Sequence, residues 1–79
     1  MSANELTEIE QQILSYLNQQ NSGCAQVGDI RHWLESVNGE RPDLTELYFC
    51  FDNLRHLHLI TQRGVIIILT DTAKNSLTN

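Results

Sequence analysis

Apolar residues recur at helical spacing through the first two thirds of this chain and crowd into short runs after it. Leu6, Ile9, Ile13, Tyr16 and Leu17 form one helical stripe ending near Gln20, and Thr7-Glu8-Ile9-Glu10 has the spacing of a capping box. The polar run Asn18-Gln19-Gln20-Asn21-Ser22-Gly23 stops that helix. Cys24-Ala25-Gln26-Val27 offers a short strand. A second helix is predicted from about Gly28 to Val37, with Ile30, Trp33, Leu34 and Val37 on one face and Arg31, His32 and Glu35 pointing away. Asn38-Gly39-Glu40-Arg41-Pro42 then breaks the pattern.

A third helix and the hairpin after it organise the rest of the chain. Asp43 and Glu46 have capping-box spacing, and Leu44, Leu47, Cys50, Phe51, Leu54 and His58 fall within about 120° of helix surface. Two β-branched runs come next, Leu59-Ile60-Thr61-Gln62 and Val65-Ile66-Ile67-Ile68-Leu69, flanking Arg63-Gly64 as a two-residue turn. With that turn Gln62 faces Val65, Thr61 faces Ile66, Ile60 faces Ile67 and Leu59 faces Ile68. One face of the hairpin carries Ile60, Val65, Ile67 and Leu69, and the other Leu59, Ile66 and Ile68. Both faces are apolar, whereas such a sheet normally keeps one side wet. Leu59, Ile66 and Ile68 are therefore expected to meet a second copy of the chain or another protein. The alternative is that the hairpin curls over the first helix and hides both faces.

Helix, hairpin and a closing "LTDTAKNSL" resemble the recognition helix and wing of a winged helix-turn-helix domain. The wording "NLRHLHLITQRG…ILTDTAKNSL" is similar to the ending of MarR- and PadR-like regulators, and "LTEIEQQILSYL" resembles their first helix. The resemblance implies an α+β, mostly helical fold: a three-helix core, a two- to three-stranded β-wing and a short C-terminal helix. It covers nearly all of residues 1–79, which read as a single winged-helix domain. Where those families usually carry Gly at the left-handed end of the recognition helix, this chain has His58, so that junction is expected to be strained or differently shaped.

Charge complicates the function that the resemblance implies. Ten acids against five bases leave −5, an unusual balance for a protein approaching phosphates. Residues 1–52 hold nine acids and two arginines, while Arg55, Arg63 and Lys74 face Asp71 alone in residues 53–79. Only the wing end offers a basic face.

On the outer side of the third helix the residues furthest from the core are Thr45, Phe49, Asp52 and His56. Tyr48 and Arg55 lie on one flank, Glu46 and Asn53 on the other. Thr45, Tyr48 and Asn53 are the candidates for bases or phosphates, and Phe49 for thymine methyls. Asp52 and Glu46 repel the backbone unless they turn towards cytosine amino groups. Arg63, with Arg41 and Arg31, supplies candidate phosphate contacts. An exposed Phe49 also favours a protein interface.

Two functions are open to such a chain. One is a small DNA-binding transcription regulator acting as a dimer on double-stranded DNA. The other is an acidic winged-helix protein–protein module of a larger complex.

No Ser/His/Asp order, glycine-rich phosphate loop or paired carboxylates stand out, so neither catalysis nor a cofactor is expected. His56 and His58 with Cys24 or Cys50 are too loosely spaced to read as metal ligands. No apolar run approaches the roughly 20 residues that span a bilayer. The start lacks a basic, then apolar, secretory pattern, and the two cysteines lie 26 apart with Cys50 on the core stripe. A cytoplasmic protein with reduced thiols is the expectation.

Overall fold

Thr7 caps the first helix as its spacing predicts. Its hydroxyl accepts from the Glu10 N–H at 3.2 Å, and Glu10 Oε1 accepts from the Thr7 N–H at 2.9 Å. In the computed structural model, which describes residues 6–77, this opens α1 (Glu8–Gln19). The reading of the first five residues for a targeting signal lies outside the described range. Next along the chain are β1 (Cys24–Gln26), α2 (Val27–Asn38), α3 (Leu44–His56), β2 (Ile60–Arg63), β3 (Ile66–Leu69) and α4 (Asp71–Leu77). No helix among the described residues is long and apolar enough to cross a membrane.

The stripes meet in one core. Ile13, Leu14 and Leu17 of α1 pack with Val27, Ile30 and Leu34 of α2 and with Leu47, Cys50, Phe51 and Leu54 of α3. Ile60, Ile67 and Leu69 close it from the sheet and Ala73 from α4. Tyr16 and Trp33 stack at the α1–α2 contact, ring centroids 5.0 Å apart. Three stripe positions depart from expectation because each lies at a helix end, where no neighbouring element covers it. Val37 is 49% and Leu44 43% exposed, and His58 is exposed beyond the end of α3. The second capping box does not form: Asp43 caps α3 through the Thr45 N–H at 3.2 Å, one residue short of Glu46.

The sheet has the order β1-β3-β2, all antiparallel, so the wing carries three strands. Its hairpin turn is one residue later than expected, at Gly64-Val65, which pairs Arg63 with Ile66, Gln62 with Ile67, Thr61 with Ile68 and Ile60 with Leu69. The reason is backbone chemistry. Gly64 has φ +63° and Val65 is not left-handed, so glycine occupies the first central position of a primed turn. Placing the turn at Arg63-Gly64 would have forced the left-handed region on Arg63. Because the pairing moved by two residues, the paired side chains kept their faces, while Val65, expected on the inner face, sits in the turn and is 58% exposed. Ile60, Ile67 and Leu69 point inward and are buried, while Ile66 and Ile68 lie half-buried on the outer face across from Gln26 and Cys24 of β1. Leu59 departs from its expected place: it precedes β2 and packs against the core.

The α3-to-β2 junction explains Leu59. The His58 N–H donates to Arg55 O at 2.9 Å and the Leu59 N–H to Leu54 O at 3.0 Å, the two bonds of a Schellman motif. The residue that must be left-handed there is His58, at φ +63°. Thr70 holds the far side: its hydroxyl donates to the His58 carbonyl at 2.8 Å and accepts from the Ala73 N–H at 3.2 Å, starting α4. The wing is also tied back to the helices, since the Val27 N–H donates to Val65 O at 2.9 Å.

Candidate nucleic-acid interface

The outer face of α3 is open. Phe49 is 75% exposed, Tyr48 44%, and Thr45, Asp52, Asn53 and His56 are exposed around them. This face exists because Leu47, Cys50, Phe51 and Leu54 take the opposite side of the helix into the core. Tyr48 is steadied by an edge-on contact with Phe51, centroids 5.9 Å apart.

The polar residues of this face are partly engaged within the chain. Asn53 Nδ2 donates to Glu10 Oε2 at 3.0 Å. Glu10 is a buried carboxylate whose other oxygen serves the α1 cap, so one side chain joins the start of α1 to the middle of α3. The amide of Asn53 is thereby turned towards α1. Arg55 pairs with Asp52 at 2.9 Å, which neutralises one acid of the face. Phe49, Asp52, Asn53 and His56 together with Thr7 and Glu10 line a groove along the α1 side.

The arginines are dispersed. Arg63 ends β2 beside the wing turn and is exposed; Gln62 Nε2 donates to Gly64 O at 2.9 Å and steadies that turn. Arg41 lies in the connection before α3 and pairs with Glu35 at 3.0 Å. Arg31 is half-buried, not free on an outer face, and its Nε donates to Pro42 O at 2.9 Å. Sequence reasoning missed this bond and the Glu10–Asn53 bond, because each joins residues with no shared periodicity.

Burial pushes the Cys50 thiol up to about 11, with the carboxylates of Glu10 and Glu46 adding to the shift. Cys50 is therefore a protonated core thiol at neutral pH, and Cys24 is also free. Among the described residues no three His, Cys, Asp or Glu side chains are grouped to hold a metal ion.

A helical core, a third helix presenting an open face and a three-stranded antiparallel wing define a winged helix, α+β and mostly helical. Solved structures of H. salinarum RosR are similar to it. The RosR structure grown from NaBr superposes with a TM-score of 0.85 at 22% identity, over 98% of this chain and 72% of that one. The RosR-S1 complex gives 0.85 at 22%, over 99% and 71%, and the RosR-S4 complex 0.84 at 22%, over 96% and 68%. At this identity the likeness establishes the fold. No family model and no curated protein matches the chain.

Proposed function

We propose that residues 1–79 form a single winged-helix domain that binds double-stranded DNA as a MarR/PadR-like, cytoplasmic transcription regulator and acts as a homodimer. The observation that carries this reading is the open face of α3 beside an exposed Arg63 at the wing. In winged-helix and related motifs such a helix enters the major groove. Thr45, Tyr48 and Phe49 are the side chains placed to meet base edges and thymine methyls, with Arg63 and Arg41 on phosphates. Asn53 contributes by fixing α3 against α1. The fold shared with RosR, two of whose structures are complexes, supports the reading. A dimer is favoured by the small number of base pairs one helix can read. The outer sheet face at Ile66 and Ile68 is the proposed contact between copies.

Fluorescence anisotropy with duplex DNA across a salt series tests it. Affinity that falls as salt rises is expected, and Arg63→Ala lowers the slope by about one unit while Thr45→Ala alters sequence preference. Absence of binding at low salt would refute it.

One observation favours the second reading, an acidic protein–protein module. Phe49 stands 75% exposed between Asp52, Glu46 and His56, a setting that suits a protein partner better than a phosphate backbone. Under that reading Phe49→Ser abolishes partner binding and DNA is not bound.

A further inference from the structure

A second feature lies where α2 meets the connection into α3. Gly28, Arg31, His32 and Arg41 line a cleft there, away from the groove beside Phe49. Its two arginines are held in the same manner. Arg31 uses Nε to donate to Pro42 O at 2.9 Å, and Arg41 uses Nε to donate to Glu35 Oε1 at 3.0 Å. The η nitrogens of both make no bond to the described residues. A guanidinium fixed through Nε still presents its η N–H groups as a fork matched to the oxygens of a phosphate. Restraining a long side chain beforehand also reduces the entropy lost when it binds.

Arg41 also borders a neighbouring cleft that carries Glu8, Glu40, Asp43 and Glu46, but the lining of this one is basic. It holds two guanidiniums and an imidazole, and the nearby Glu35 is turned onto Arg41 Nε. Gly28 borders open space, where a Cβ would meet nothing within 4 Å. In a chain of net charge −5, a cleft lined only by basic groups and glycine runs against the general balance.

We infer that this cleft is an anion subsite for one phosphate group, with Arg31 and Arg41 donating to its oxygens. The DNA-binding reading supplies the source, a backbone phosphate flanking the groove that α3 enters, and the inference rests on that reading for this step. Arg41 stands two residues before the α3 cap Asp43, so the cleft opens beside the end of α3 that carries Thr45. A free phosphate or nucleotide would use the same chemistry.

Two measurements on the full chain separate these sources. The first is anisotropy with duplex DNA over a salt series; the second is a two-dimensional amide and side-chain NMR titration with inorganic phosphate. Arg41→Gln removes one fork from an exposed pair, and Arg31→Lys keeps a donor for Pro42 while losing its fork; a thermal melt of each checks the fold. Each variant is expected to weaken DNA binding about tenfold, and Arg41→Gln to lower the salt slope by about one unit. Wild-type DNA binding left unchanged by both folded variants overturns the subsite while the DNA-binding reading stands. No DNA binding, with phosphate-dependent shifts at Arg31, His32 and Arg41 that vanish in Arg41→Gln, supports the subsite with free phosphate as its ligand. Neither DNA binding nor phosphate shifts overturns it together with the reading beneath it.

Discussion

Replacing His58 with glycine is expected to stabilise this protein. His58 is the left-handed residue of the Schellman motif that ends α3, at φ +63°, and its side chain is exposed. A residue with a Cβ loses roughly 1–2 kcal/mol in that conformation. Glycine relieves the clash but adds freedom to the unfolded chain, which returns roughly 0.5–1 kcal/mol. The net gain is on the order of 0.5–1 kcal/mol, because the backbone bonds of His58 and Leu59 remain. For a domain of this size that corresponds to a rise in Tm of about 2–8 °C. Thermal melts followed by circular dichroism read it directly. His58→Ala is the control: it removes the imidazole but keeps the Cβ, so it should melt near the wild type, and His58→Asn should fall between the two. If His58→Gly melts at or below His58→Ala, the left-handed strain assigned to this junction is wrong.

Three further outcomes are expected from the packing. Leu54→Ala, at a fully buried position of α3, should cost about 2–5 kcal/mol, and a melt barely altered would contradict the placement of α3 in the core. Stability should fall as pH rises from about 9 towards about 11, because the folded Cys50 keeps its proton after the unfolded thiol has lost it. The expected slope is about 1.4 kcal/mol per pH unit between those values, and urea titrations of Cys50→Ala should lack it. Light scattering should report a dimer for the wild type and a folded monomer for the Ile66→Lys, Ile68→Lys double variant; a wild-type monomer would refute the proposed contact between copies.

Much of the fold is legible in the sequence because its signals are local. Thr7 and Glu10 lie three residues apart and announce a helix start that the structure completes bond for bond. The α3 stripe is correct through Leu47, Cys50, Phe51 and Leu54, where the helix is covered along its length. It fails at Leu44 and His58 because periodicity gives the direction of a side chain, while burial needs a neighbour at that height. The hairpin turn lies one residue beyond its expected place because glycine serves both kinds of primed turn, in different positions. The candidate interface is legible as a set of outward residues but not as a set of engagements. Phe49 is as exposed as its place on the helix implies, yet the partners of Asn53 and Arg31 lie 43 and 11 residues away, beyond any local pattern.

The bond from the Val27 N–H to the carbonyl of Val65 has a mechanical consequence. A wing joined to the body only through its own two strands would behave as a compliant finger, able to adjust to the surface it meets. Here the turn is pinned to the first residue of α2, and β3 is laced to β1 directly ahead of it. The tip and the helices therefore form one stiff tool of fixed span. A surface that touches both α3 and the wing must already have the matching contour or bend to acquire it, so the shape of the target becomes part of what is recognised.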